Sequence, residues 1–206
     1  MRPLGGKPMA AWTLDAAQAS AFIDHIVVST DDTDLAALAR ARGLSVVVRP
    51  PALAGSEASV IDAIAHALAS IEKVWSYVVL LQPTSPLRLA ADIDTALRLC
   101  HDNAAPAVFS VSPLPKPGGF YGFLADDGFQ PLQAHGDPVI LNGAVYVGRP
   151  ERLFEDRSFQ PEGARPFLMP LSRGIDVDTL LDFSLCEALI PLVQAGRAAE
   201  LDVVRR

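Results

Sequence analysis

Two aspartates stand two residues apart in the stretch GIDVDT, at Asp176 and Asp178. Side chains two apart on an extended segment point the same way, with Cα atoms roughly 7 Å apart. Two carboxylates on one face form an oxygen donor set that suits Mg²⁺, a hard cation that keeps waters and substrate phosphates among its ligands. The residues also have a plainer use. Asp178 precedes a helical run and can serve as its N-cap, with Asp176 solvated. Spacing alone leaves both readings open.

Three further stretches place polar residues where apolar runs end. The run YVVLL is followed by QPTSPLR, residues 82–88. Its prolines fix the path of the loop. Gln82, Thr84, Ser85 and Arg88 can then face outward to read a base or a sugar, with Arg88 near a phosphate or carboxylate. The alternative is a stiff turn in which Thr84 and Ser85 bond their own backbone. The run LSVVV ends in Arg49-Pro50-Pro51, which sets a guanidinium at a strand's carboxyl end, where it meets an anionic ligand or a surface ion pair. ILNGAVYV holds Asn142-Gly143 inside apolar sequence. That pair is either a hairpin turn or a buried amide aimed into a cleft, with the glycine admitting a ligand close to the backbone. The short left flank and long right flank favour the second. The four histidines show no ligand spacing, and His66 reads as a structural residue of a helix. Neither a GxSxG nor a Walker loop is present.

The elements that must position these residues alternate between strand and helix. MAAWTLDAAQASA runs in helical period after the loop PLGGKP. HIVVST is a strand, DDTDLAALARARG a helix capped by Asp31 or Asp32 and stopped by Gly43, and LSVVV the next strand. SVIDAIAHALASIE, LAADIDTALRLCHD and TLLDFSLCEALIPLVQAG read as helices, and YVVLL and PAVFSVSP as strands. The continuous apolar strands predict a parallel sheet covered on both faces, in a single domain spanning 1–206. The pattern breaks at about 113–136, a Gly- and Pro-rich stretch with short aromatic pieces that reads as an inserted hairpin or flap. PVILNGAVYVG returns to the sheet, and FLMPLSRGIDVD is a last strand region. In an open sheet of this kind ligands bind at the carboxyl ends of the strands, where the polar loops lie.

Composition bounds the partners. The chain is 50% hydrophobic and 20% charged, as in a folded domain, and its formal charge of −7 argues against a general nucleic-acid binder. Cys100 and Cys186 form no CxxC and read as reduced thiols in apolar helices. No apolar run has the length to span a membrane and no signal pattern opens the chain, so the reading is cytoplasmic.

Taken in order, RPLGGKPMAAWTLDAA, IVVSTDD, VVRPPALAG, LLQPTSPLR, LNGAVYVG and GIDVDT resemble the acylneuraminate cytidylyltransferase family, the CMP-sialic acid synthetases and their relatives for other eight- and nine-carbon 2-keto sugar acids. The resemblance covers nearly the whole chain. It implies a Rossmann-like nucleotidyltransferase fold, a three-layer α/β/α sandwich. It implies transfer of CMP from CTP to a 2-keto-3-deoxy sugar acid with Mg²⁺ and release of pyrophosphate. By match, Asp176 and Asp178 would be catalytic and hold the metal. Arg49 and Lys7 would lie by the nucleotide, and Gln82, Thr84, Ser85, Arg88 and Asn142 by the substrate. The 113–136 insert would be the family's dimerisation segment, making a homodimer.

The chain also departs from the family pattern. Members begin with a strand and a loop of the type ARxGSKxxxxKN, which would wrap the triphosphate. The sequence here opens after it, which is read as a late-assigned start or as a reduced member that has lost chemistry. FQPLQAHGDPVIL has no arginine or lysine to meet a sugar carboxylate, Lys116 is offset from the family's flap lysine, and Val60 stands where a hydroxyl is common. These departures keep two alternatives in view: a catalytically impaired nucleotide- or sugar-binding partner protein in surface-glycan synthesis, and a different sugar nucleotidyltransferase using CTP or UTP.

Overall fold

The chain enters through a tight turn. Gly5 and Gly6 take positive φ, 56° and 87°, as a two-residue hairpin turn requires. The turn joins the short antiparallel strands β1 (Pro3–Leu4) and β2 (Lys7–Pro8), so the stretch read as loop is a small hairpin. Leu4 is fully buried at its base, and its carbonyl accepts a 3.0 Å hydrogen bond from Trp12 Nε1 in helix α1 (Met9–Ala19). The computed structural model describes residues 3–55, 57–71, 73–126, 128–132 and 136–202.

A β–α–β unit follows: β3 (Val27–Thr30), α2 (Thr33–Ala41) and β4 (Ser45–Val48), with β3 and β4 parallel. Asp32 caps α2, its carboxylate accepting from the N–H groups of Asp34 and Leu35 at 2.7 and 2.9 Å. Gly43 ends the turn at φ 72°. Next come α3 (Val60–Ala69), β5 (Val78–Leu80), α4 (Ala90–Asp102) and β6 (Ala107–Pro113), then the hairpin β7 (Gly122–Ala125) and β8 (Gly128–Pro131). The chain continues as β9 (Val139–Gly148), α5 (Pro150–Asp156), β10 (Arg165–Leu168), α6 (Leu180–Gln194) and α7 (Ala198–Leu201). Helix α5 has no counterpart among the elements expected from the sequence.

The main sheet has the order β10-β6-β9-β5, with β10 parallel to β6 and β9 antiparallel to both its neighbours. This corrects the expectation of a parallel sheet. A continuous apolar run reports burial on both faces and says nothing about direction, and β9 returns beside β6 after the flap. Among the described residues, β3 and β4 form a ladder of their own. Alternation along the strands shows the layers. Val79, Val145 and Val147 pack with Ile93, Ala96 and Leu97 of α4. Val78, Leu80 and Tyr146 pack with Ile61 and Ile64 of α3 and Leu153 of α5. Helices therefore cover both faces, giving the Rossmann-like α/β sandwich. A Cβ on Gly148 would sit 2.6 Å from Leu153 Cδ2, so α5 packs on bare backbone there.

The predicted flap is the β7–β8 hairpin, with Phe123 68% and Leu124 90% exposed. Residues 127 and 133–135 of the 113–136 insert, His135 among them, lie outside the described residues. The last strand is shorter than expected. β10 ends at Leu168, a 3₁₀ turn covers Leu171–Arg173, and residues 174–178 run on outside any ladder. Among the described residues no helix is long and apolar enough to cross a membrane.

Candidate active site

Three segments meet at one place: the loop after β5, the middle of β9, and residues 174–178. The meeting is built from a bulge. The β6–β9 register shifts between Phe109 and Val111, and Gly143 takes φ 69° there. Asn142 lies in this irregularity and is 3% exposed. Its Oδ1 accepts from Ser110 Oγ at 2.5 Å and from the Ala144 N–H at 3.1 Å, and its Nδ2 donates to Ser112 Oγ at 2.9 Å. Ser110 Oγ in turn accepts from the Val145 N–H at 2.8 Å. The amide therefore supplies the partners that a bulged ladder leaves missing. Asn142-Gly143 is no hairpin turn. It is a buried amide whose oxygen and one N–H brace the bulge.

The segment 174–178 is laid onto this bulge. Gly174 passes so close that a Cβ would overlap Ser112 Oγ and Asn142 Nδ2. Arg173, just before it, donates to Asp92 from Nε at 3.0 Å and Nη2 at 2.8 Å, a forked pair that fixes the turn to the start of α4. The Asp92 bond is the main reason the Arg173 guanidinium is held above its usual value, against burial. Val177 N–H donates to the Thr84 carbonyl at 2.8 Å. Ile175 and Val177 pack into the cluster of Leu4, Leu87 and Phe183, so by alternation Asp176, between them, lies on the other side.

The outcome is a polar focus at Gly143. A Cβ built there would lie 2.5 Å from Gln82 Oε1 and 3.0 Å from Asp176 Oδ2. The Gln82 amide and the Asp176 carboxylate thus both rest against the same stretch of backbone. Asp176 Oδ1 is buried and has no hydrogen-bond partner among the described residues. The Tyr146 hydroxyl is pushed above its usual value, chiefly by burial and also by the Asp176 charge. Asp178 is exposed. It does not cap α6. That role falls to Thr179, whose Oγ1 bonds Asp182 in a reciprocal capping box.

The other predicted residues separate. Arg88 and Ser85 do not face outward as expected. They are 2% and 0% exposed. Ser85 Oγ donates to the Asn142 carbonyl at 3.4 Å, and Thr84 is half-buried. Arg88 donates to Thr13 Oγ1 at 2.9 Å and to the Gln82 carbonyl. Burial pushes its guanidinium down to about 9, against the charges of Asp176 and Asp92. The physical reason is the Pro83–Pro86 path, which turns this end of the loop into the core behind Gln82. Arg49 stands at the carboxyl end of β4, its Nη2 3.3 Å from Asp31 Oδ1. Lys7 forms an ion pair with Asp15 and lies 3.5 Å from the Trp12 ring centre. Among the described residues no hydrogen bond or ion pair of Arg49 or Lys7 reaches the Gly143 focus. Thr13, Tyr146 and the Asp92–Arg173 pair carry no signal in the sequence, because their roles depend on contacts between distant segments. A concavity of about 590 Å³ bordered by His25, Ser45, His66 and Ser70 shares none of these residues, and no carboxylate or cation lines it.

Among the described residues no group of three or more His, Cys, Asp or Glu side chains forms a metal cage. The donors shown at the focus are the Asp176 carboxylate and the Gln82 amide oxygen, and among the described residues nothing donates to the buried Asp176 Oδ1. That set fits Mg²⁺ in its usual mode, with one or two carboxylates and the substrate's phosphates completing the shell.

Known proteins resemble this chain in sequence and in fold. A family model described as cytidylyltransferase matches residues 1–117. The chain is 34% identical over 208 residues to the CMP-N,N'-diacetyllegionaminic acid synthase of Legionella pneumophila, covering 94% of this chain and 89% of that protein. It is 33% identical over 192 residues to the N-acylneuraminate cytidylyltransferase of Streptococcus agalactiae serotype III, covering 87% of this chain and 46% of that protein; the chain spans about half the length of that relative. Its fold matches that of a CMP:2-keto-3-deoxy-manno-octonic acid synthetase solved with CTP, with a TM-score of 0.70 over 92% of this chain and 90% of that one, at 18% identity.

Proposed function

The chain belongs to the cytidylyltransferase family and is a nucleotidyltransferase; on that premise we propose that it joins CMP, from CTP, to a 2-keto-3-deoxy sugar acid of the sialic or legionaminic acid class. In this reaction the sugar's anomeric hydroxyl attacks the α-phosphorus of CTP, a P–O bond forms, and the bond to pyrophosphate breaks. The observation that carries the reading is the convergence of Gln82 and Asp176 on the Gly143 backbone, beside an exposed Asp178. The names of the relatives support the sugar-acid class.

Phosphoryl transfer needs positioned charge and in-line geometry more than covalent help. Gln82 offers an amide to the sugar acid. Arg49, at the carboxyl end of β4, offers its guanidinium to the nucleotide in exchange for Asp31. Asp176 and Asp178 would hold Mg²⁺, which offsets triphosphate charge when bound. The exposed apolar hairpin β7–β8 fits pairing with a second copy of the chain.

The test is pyrophosphate release from CTP and Mg²⁺ with N-acetylneuraminic, N,N'-diacetyllegionaminic and 2-keto-3-deoxy-manno-octonic acids. One acid of the panel is expected to support turnover. Asp178→Asn is expected to abolish it at an unchanged melting temperature, because Thr179 holds the cap. Full activity in that variant would refute the metal assignment. One observation favours a second reading: Lys7, Arg49 and Arg88 are each already engaged within the chain. A chain that binds CTP yet releases no pyrophosphate with any acid would be a binding or partner protein of surface-glycan synthesis.

A further inference from the structure

Arg88 is a buried cation without a counter-ion in contact. It is 2% exposed, and among the described residues no carboxylate lies within ion-pair distance of it. The nearer acids are spoken for or set apart: Asp92 is taken by Arg173, and Asp176 acts on Arg88 only through its charge. Among the described residues its Nε has no acceptor. A buried guanidinium is costly, and an apolar side chain of similar volume is often tolerated better in its place.

What Arg88 does in that position is local. Its Nη2 donates to the Gln82 carbonyl and its Nη1 to Thr13 Oγ1. Thr13, 7% exposed on α1, donates its own hydroxyl to the same carbonyl at 3.4 Å. The Ser85 N–H also donates there, at 3.3 Å. Three donors thus converge on one backbone oxygen, the oxygen of the residue whose side chain rests against Gly143. The rest of the loop has separate anchors, Thr84 on Val177 and Ser85 on Asn142. The Arg88–Thr13 pair is therefore an anchor specific to Gln82, and it ties that residue to α1, 69 residues away in sequence.

Resting on the function proposed above and on Gln82 as a substrate contact, we propose that Arg88 is a positioning residue, a buried fork that holds the Gln82 backbone and so aims its amide at the sugar acid. It touches neither substrate nor metal. The charge serves the strength and fork geometry of the two bonds, since a guanidinium presents parallel donors that an ammonium does not.

The test compares Arg88→Met, Arg88→Lys, Thr13→Val and Gln82→Ala in pyrophosphate release, using CTP and the sugar acid of the panel that turns over fastest. A melting curve is recorded for each. Arg88→Met is expected to lower kcat/KM for the sugar acid about 10- to 100-fold, the cost of a catalytic contact misplaced by a fraction of an ångström to 1 Å. The KM for CTP is expected to stay within about 2-fold. Arg88→Lys recovers part of the loss, and Thr13→Val reproduces it in weaker form. A merely structural role lowers the melting temperature and leaves the sugar-acid kinetics alone; that result would overturn the proposal. If Arg88→Met does not fold, Thr13→Val decides, since it keeps the charge and removes the bridge. Wild-type kinetics in Gln82→Ala would sink the substrate-contact reading beneath the proposal. Impaired kinetics in Gln82→Ala with normal kinetics in the Arg88 and Thr13 variants would sink the positioning role alone.

Discussion

Replacing Gly143 by alanine tests whether the bulge in β9 is the floor of the active site. Two costs can be worked from the structure. The first is conformational. Gly143 has φ 69°, and an L-residue held in that region loses about 1–2 kcal/mol. In a chain of this size that lowers the melting temperature by about 2–8 °C. The second is local. The new Cβ would lie 2.5 Å from Gln82 Oε1 and 3.0 Å from Asp176 Oδ2. An unforced C···O approach is about 3.3 Å, so the amide must retreat by ~0.8 Å and the carboxylate by ~0.3 Å. Displacements of that size at a reacting centre cost about 10- to 100-fold in kcat/KM. Gly196→Ala is the control. That glycine has φ 71° and nothing within 4 Å of its would-be Cβ, so it carries the same strain with no neighbour to push. The assay is pyrophosphate release beside a thermal melt. Both variants are expected to melt lower, and only Gly143→Ala to lose turnover. Equal kinetics in the two would refute the placement of the site at Gly143.

Three further outcomes are expected. Asn142→Asp puts a carboxylate where the amide's Nδ2 donated to Ser112; with the residue 3% exposed, stability falls by about 1–3 kcal/mol, read as a lower urea midpoint. Burial alone would raise the Asp15 carboxyl, but hydrogen bonds from Lys7 and Arg42 and their charges hold it below the usual range. The folded value lies below the unfolded one, so this stabilisation is present above about pH 4 and is lost as pH falls through the folded value. Asp15→Asn should therefore cost up to about 1 kcal/mol at neutral pH, a modest figure because the carboxyl is 43% exposed, and the gap to wild type should close in urea titrations toward pH 2. Arg49→Met removes an exposed ion pair worth less than about 1 kcal/mol, so its melting temperature should stay near that of the wild type while the KM for CTP rises; an unchanged CTP KM would remove Arg49 from the nucleotide site.

The division between sequence and structure follows from range. Local signals were legible because they depend on neighbours in the chain. The Asp32 cap, the Gly43 stop and the helices α1 to α4 and α6 at 3.6-residue spacing stand close to where the pattern places them. The segment of Asp176 and Asp178 reads as extended from its sequence, and residues 174–178 do run on before helix α6. Other features depend on contacts across the fold. Whether β9 runs parallel or antiparallel is invisible in an apolar run, because burial on both faces erases the alternation that would mark a face. That Asn142 braces the strand is equally hidden, because its amide bonds Ser110 and Ser112, 32 and 30 residues earlier. Arg88 reads as an outward-facing residue near a phosphate or carboxylate, since arginines are costly to bury. Only the packing of α1 against the loop after β5 brings Thr13 and the Gln82 carbonyl to its guanidinium and makes that burial tolerable. The residue types and order carry the chemistry, while the tertiary structure decides which polar groups face a substrate and which hold the backbone that does.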